Sequence, residues 1–214
     1  MNPAAPTASV RLDIFADPVC PWCLIGKLEL DRALESRPDH PFAITWHPFR
    51  LNPLLPREGV DRIEHLHAKL GEGAEAASRQ VAERAAAMGL DLNPSTREPN
   101  TTDAHRLMHW AGLEGAQSRV MAGLLRAYWQ EGRDIGDPAE LVRIAASAGM
   151  DGELVGRLLA GPSDLDEIQQ REAHARQRGI SSAPTFVVAD THVVSGAQPA
   201  ALWQQVIDEL TATG

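Results

Sequence analysis

The stretch Val10-Arg11-Leu12-Asp13-Ile14-Phe15-Ala16-Asp17-Pro18-Val19-Cys20-Pro21-Trp22-Cys23-Leu24 decides the fold, because it runs from a strand into a helix across the only two cysteines of the chain. Val10 to Phe15 alternate apolar and polar with Leu12 and Ile14 on one face, which is strand spacing. Asp17-Pro18 breaks the strand, and Leu24, Leu28 and Leu34 then follow a helical repeat. The cysteines are therefore expected in a helix's first turn. Positions three apart on a helix bring Cβ atoms to about 5–6 Å, and a disulfide needs Cα atoms roughly 4.4–6.8 Å apart. Such a pair can close and reopen with little backbone movement.

A helix start offers unpaired backbone N–H groups and the positive end of the dipole, both of which favour a thiolate over a thiol. The thiolate is the nucleophile. Cys20, nearer the tip, is expected to be the attacking and partly exposed sulfur, and Cys23, one turn in, the shielded sulfur that resolves a mixed disulfide. Pro21 suits the first turn, where a missing N–H costs nothing. Asp17 opposes the helix effect if its carboxylate lies close. Trp22, inside the active turn, is expected to shield sulfur or to offer an apolar contact.

The competing reading of C-x-x-C is half of a zinc site. Zinc wants four ligands, and the nearest helical H-x-x-x-H, His105 with His109, lies far downstream of the spacing a zinc finger uses. No metal is expected. His105 and His109 share a helix face and read as packing or surface residues, with a substrate or glutathione contact at His105 as the functional alternative. His65 and His67 point to different faces and read as solvated. Trp46, Trp110, Trp129 and Trp203 read as core aromatics.

At 214 residues, 43% of them hydrophobic and 23% charged, the chain has the composition of a soluble globular protein able to bury a core without disulfide staples. A formal charge of −9 argues against nucleic acid or an anionic membrane as partner. The first nine residues, Met1 to Ser9, lack a basic region and an apolar run, so they read as a leader and not a secretory signal. A cytoplasmic protein is expected. There, a cysteine pair is catalytic or redox-sensing more often than structural.

Phe42 to His47 reads as a second strand, making a right-handed parallel βαβ unit with the first. From Pro48 to Pro184 no strand is expected. Helical segments are expected around Ile63 to Leu70, Ala74 to Met88, Ala104 to Ala111, Gln117 to Gln130, Asp137 to Gly149, Asp151 to Ala160, and from a Ser163-x-x-Asp166 opening to Gly179. Thr185 to Ala189 and Val193 to Ser195 flank Asp190-Thr191 as an antiparallel hairpin, and Pro199 to Leu210 reads as a last amphipathic helix. The expected architecture is α/β, split between the chain ends: residues 9–57, a helical insertion at 58–165, and residues 166–214.

Four motifs recur along this frame: Asp17-Pro18-Val19-Cys20-Pro21-Trp22-Cys23 with Ile25-Gly26, Asn100-Thr101 with Ala104-His105-Arg106-Leu107, Ala183-Pro184-Thr185-Phe186-Val187, and Val194-Ser195-Gly196-Ala197-Gln198-Pro199. With them the chain resembles the thioredoxin superfamily, in its DsbA-like branch with a helical domain inserted into the thioredoxin fold. It is most similar to FrnE-like members related to 2-hydroxychromene-2-carboxylate isomerase. The resemblance implies Cys20 as nucleophile, Cys23 as resolving thiol, and Pro184 as a cis-proline whose loop, with Ala183, holds an extended substrate. It implies a helical lid beside them. The chain departs from related sequences at Ala183, where a larger branched residue is common, and from the isomerases at Cys20, where they usually carry serine.

The reading is a cytosolic thiol–disulfide oxidoreductase acting on protein or small-molecule disulfides, as a monomer or homodimer. It needs no cofactor beyond the Cys20–Cys23 pair, with glutathione as a candidate co-substrate. The alternatives are a glutathione-dependent isomerase or transferase, in which Cys23 would be dispensable, and a non-enzymatic chaperone.

Overall fold

The computed structural model describes residues 9–212, so the expected leader falls outside the described residues except for Ser9. Strand β1 (Val10–Ala16) leads into helix α1 (Pro21–Ser36) and back to β2 (Phe42–Pro48). The two strands are parallel, with Val10 opposite Phe42 and Ala16 opposite Pro48. From the far end of the chain, β5 (Thr185–Val188) pairs antiparallel with β1, and β6 (His192–Ser195) pairs antiparallel with β5. The sheet order is therefore β2-β1-β5-β6, assembled from both chain ends around β1.

Alternation along β1 decides what each face of the sheet can do. Leu12, Ile14 and Ala16 are fully buried against a core that includes Leu24 and Leu30 of α1 and Trp203 and Ile207 of α9 (Ala200–Ala212). Phe186 meets Trp203 edge-on at 4.8 Å, fixing α9 to the sheet. Phe15 points the other way, into a smaller cluster with Phe49, Ala175, Ile180 and Val187 beneath α8 (Leu165–Gln177). Each face of the sheet is thus closed by helix, as a strand pleat of period two requires.

Between β2 and β5 the chain forms β3 (Val60–Asp61), α2 (Arg62–Leu70), a 3₁₀ turn at Gly71–Gly73, α3 (Ala74–Ala87), β4 (Arg97–Glu98), α4 (Thr102–Leu113), α5 (Gln117–Trp129), α6 (Pro138–Ser147) and α7 (Gly152–Ala160), and then α8. Asp61, Asp137 and Asp151 cap α2, α6 and α7 by accepting backbone N–H bonds. The β3–β4 ladder corrects the expectation that no strand falls between Pro48 and Pro184; two residues a side are too short to leave a period. The expected Ser163 opening of α8 is also corrected. The helix starts after Asp164, which adopts a left-handed conformation with φ 58° and makes no capping bond. Its carboxylate instead accepts from Trp110 Nε1 at 2.7 Å, and the Ser163 carbonyl accepts from Arg106.

Arg106 is the pin of this helical region. It is buried, and it bonds Asp103 and the carbonyls of Ser163, Leu158 and Gly161 at 2.6–2.7 Å, joining α4 to the end of α7. On the sheet's β2 edge, Gln117 accepts from Trp46 N–H at 3.0 Å and donates to Trp46 C=O at 3.1 Å. A side chain there occupies the hydrogen bonds that another strand would take.

Candidate active site

The turn between β1 and α1 places both sulfurs. Cys20 is the N-cap of α1, with extended backbone (φ −80°, ψ 118°), and Pro21 occupies the first helical position. The cysteines therefore bracket the first turn instead of both lying inside it. Cys20 N–H donates to Asp17 C=O at 2.9 Å, and the Cys20 carbonyl accepts from Cys23 N–H at 3.1 Å and Leu24 N–H at 3.3 Å. Cys23 sits at the third helical position, 1% exposed, with the Cys20 sulfur as its neighbour.

Cys20 is 3% exposed, which corrects the expectation of a partly exposed sulfur. The cover is the loop from the other end of the chain. Cys20 Sγ donates to the Ala183 carbonyl at 3.3 Å, and the Ala183–Pro184 peptide is cis. Gly26 lets this loop come close. A Cβ at that position would meet the Pro184 ring at 3.3 Å, the Ala197 Cα at 3.4 Å and the Phe186 ring at 3.4 Å. Two of the sequence motifs, Ile25-Gly26 and Ala183-Pro184, are thus two sides of one contact.

Beneath the sulfurs lies Asp17, with no exposed surface. Its Oδ2 accepts from Leu51 N–H at 2.7 Å. Its Oδ1 has no hydrogen bond among the described residues and faces His105 Nε2 at 3.5 Å, which likewise has none. His105 is 2% exposed, packed against this carboxylate. Burial pushes the Cys23 thiol well above its ordinary pKa and the neighbouring Cys20 sulfur raises it further; the Asp17 backbone N–H lowers it, and the Asp17 charge raises it by less than that. Cys23 is therefore protonated at neutral pH, beside a carboxylate with a free oxygen.

The inserted helices provide the walls. Trp129 Nε1 donates to Pro18 C=O at 3.0 Å, tying α5 to the active turn. Next to the turn is a cleft of about 210 Å³, lined by Pro21, Trp22, Leu51, Leu66, Val81 and Trp129 among others. Trp22 is half-buried on its wall. Glu98, from β4, also lines it, accepting from Tyr128 Oη at 2.8 Å and from Asn52 at 2.8 Å. Burial raises the Glu98 carboxyl above its usual range, the Tyr128 bond partly offsetting this. Arg62 lies 5.2 Å over the Trp129 ring, a cation–π stack at the cleft mouth.

Of the other histidines, His65 lines the cleft and is half-buried, against the expectation of solvation, whereas His67 is exposed. Burial lowers the His65 pKa, and the Lys69 charge adds to the shift. His109 accepts from Arg171 on the opposite face of the sheet. Trp46, Trp110, Trp129 and Trp203 are all buried. Glu98, Arg62 and Leu51 are site neighbours that sequence reasoning missed. Glu98 had a signal, an acid inside the Pro-flanked Arg97-Glu98-Pro99 stretch, but nothing local links it to Cys20.

A parallel βαβ unit extended by an antiparallel hairpin, with a dithiol at the first helix tip and a cis-proline loop against it, defines a thioredoxin-type fold with a helical insertion. The chain belongs to the family of the DSBA-like thioredoxin domain, whose model matches residues 11–208. Among solved structures it is similar to a "probable DsbA oxidoreductase" of Streptomyces coelicolor, with 31% identity, 96% of this chain and 91% of that chain covered, and a TM-score of 0.84. The cytosolic disulfide reductase DsbM of Pseudomonas aeruginosa shares 17% identity over 95% of this chain and all of that one, with a TM-score of 0.67. A 2-hydroxychromene-2-carboxylate isomerase shares 13% identity over 95% and 97% of the two chains, with a TM-score of 0.72. The last two similarities are of fold alone. Among the described residues no helix is long and apolar enough to cross a membrane.

Proposed function

We propose that this protein is a cytosolic thiol–disulfide oxidoreductase that reduces protein or small-molecule disulfides through Cys20 and Cys23. The observation that carries the reading is the position of Cys20: capping α1, in contact with the Cys23 sulfur and bonded to the carbonyl that precedes Pro184. A substrate sulfur that takes the place of that carbonyl lies in line with the nucleophile, and the freed Ala183 C=O accepts a backbone N–H of the substrate.

The Cys20 thiolate attacks one substrate sulfur, the substrate S–S bond breaks, and the other sulfur leaves as a thiolate that takes up a proton. Cys23 then loses its proton and displaces the first sulfur, leaving a Cys20–Cys23 disulfide and two substrate thiols. With the Cys23 thiol raised by burial, this second step needs an acceptor for the proton. Asp17 is the acceptor, and His105, 3.5 Å from its free oxygen, stabilises whichever partner carries the charge. A low-molecular-weight thiol such as glutathione would return the electrons. In this scheme segments 9–57 and 166–214 carry the chemistry, and segment 58–165 shapes the cleft that admits the substrate.

The test is turnover of a small aromatic disulfide, with glutathione as reductant, by the wild type and by Cys23→Ser. The scheme requires that Cys23→Ser stall as a mixed disulfide on Cys20. Full activity of Cys23→Ser would instead support a glutathione-dependent isomerase or transferase, in which one thiol suffices.

A further inference from the structure

On the face of the sheet away from α1, a cavity of about 420 Å³ opens between β1, β2 and α8. Its size falls in the roughly 300–1,000 Å³ range of small-molecule sites. The proposed redox chemistry uses none of its residues. On its strand wall one arginine meets two carboxylates: Asp13 accepts from Arg11 Nε at 3.0 Å and from His47 Nε2 at 2.7 Å, and Arg11 also pairs with Asp190. Its helical wall is different.

Arg171, half-buried, directs one Nη at His109 Nδ1 (3.1 Å) and the other at His47 Nδ1 (3.4 Å). A guanidinium only donates, so both imidazole nitrogens accept and the His47 proton sits on Nε2, facing Asp13. Burial keeps His47 neutral; Arg171 and Arg11 add to that lowering, against the pull of Asp13. Among the described residues no carboxylate lies within 4.0 Å of Arg171. The two buried arginines contrast with it: Arg50 pairs with Glu172 and Arg106 with Asp103, both at 2.7 Å. Arg178, exposed on the same wall, has no side-chain partner among the described residues. Glu167 is the cavity's one unpaired acid. Phe15 and His47 are stacked with centroids 4.8 Å apart and planes at 20°, so the floor shows the edge of the His47 ring beside a buried Phe15.

We propose that this cavity is a second binding site, for a small aromatic oxyanion whose phosphate or carboxylate is held by Arg171 and Arg178 while its ring lies against the exposed edge of His47. On the helical wall two guanidinium groups face the open volume with a single carboxylate, Glu167, so the excess positive charge lies on that wall. An oxyanion completes the hydrogen bonds that Arg171 now makes only to neutral imidazoles.

The experiment titrates the whole protein with phenyl phosphate, benzoate and inorganic phosphate at constant ionic strength set with chloride, following the His47 and His174 ring resonances by NMR. The proposal expects saturable shifts with phenyl phosphate or benzoate, whichever binds tighter naming the preferred headgroup, and weaker binding of inorganic phosphate. Arg171→Gln should weaken binding about tenfold, the scale of one charge-assisted contact. Arg178→Gln, at an exposed position that leaves the packing intact, should weaken it severalfold. Cys20→Ser should leave binding unchanged, which separates this site from the redox reading. Absence of saturation with all three probes, or equal affinity in both arginine variants and the wild type, would overturn the proposal. Inorganic phosphate binding as tightly as phenyl phosphate would remove the aromatic half of it.

Discussion

The sheet built from the chain ends and the helices inserted between them meet at Cys20, and they bring different things to it. In the proposed scheme the sheet half brings the reacting atoms: two sulfurs at the tip of α1 and, facing them, the Ala183 carbonyl. The inserted helices bring surroundings: His105 against Asp17, Trp129 on the Pro18 carbonyl, and the wall of the cleft. The difference teaches that, in this scheme, the frame of one fold can hold the chemistry and its base, Asp17, while helices of separate origin in the sequence set the surroundings of that base and access to the site. Changes in the first half should therefore abolish exchange, and changes in the second should tune it.

The largest expected effect follows from removing the nucleophile. Cys20→Ser should cut disulfide exchange by at least about a thousandfold, with unfolding stability close to wild type, as measured by turnover and by denaturant titration. Next is the contact between the halves. Asp17→Asn keeps an oxygen for Leu51 N–H but removes the base, and should slow the resolving step by about a hundredfold in stopped-flow measurements while leaving the attack by Cys20 within a few-fold. The sign is decisive, because Asp17's charge also raises the Cys23 pKa. If Asp17 acted only by repulsion, its removal would speed resolution.

A structural change should separate the halves in another way. Gly26→Val puts carbon against Pro184, Ala197 and Phe186, and should cost about 1–3 kcal/mol by overpacking, read as a lower denaturation midpoint together with slower exchange. Removal of the α6 cap by Asp137→Ala, in the inserted helices, should cost about 1 kcal/mol and leave exchange rates unchanged.

The most local effect is a pH dependence. The Cys23 thiol is raised in the folded state, so the native protein holds that proton at pH values where the unfolded chain has lost it. Cys23 thus contributes stability that is fully present below the ordinary thiol range and falls as pH rises through that range towards the folded pKa, by up to about 1.4 kcal/mol per pH unit. Reduced wild type should show this slope in denaturant titrations. Cys23→Ser should lack it.

What the sequence made legible was whatever is local or periodic. Leu12 and Ile14 announced the strand, Leu24 the helix, Asp137-Pro138 and Asp151 the helix openings, and the sole cysteine pair the candidate site. Longer-range contacts left no such trace. Asp17 meets His105 only because α4 packs beneath the active turn, and the polar ring read as surface or packing because nothing nearby in sequence is its partner. A signal existed in the buried Ala104, Leu107, Met108 and Ala111, whose stripe His105 borders. Cys20 was expected to be partly exposed because a helix tip points outward, and the loop that covers it arrives from 163 residues away. Ser163 looked like a cap, but Arg106 uses its carbonyl and Trp110 uses the next residue's carboxylate.

The most direct trial of the account is mass spectrometry of the two serine variants after brief exposure to a disulfide substrate. Cys23→Ser should trap one substrate moiety, on Cys20, in nearly every molecule, while Cys20→Ser should stay unmodified because Cys23 is buried and protonated. Modification at Cys23, or equal labelling of the two variants, would contradict the assignment of attack to the helix tip.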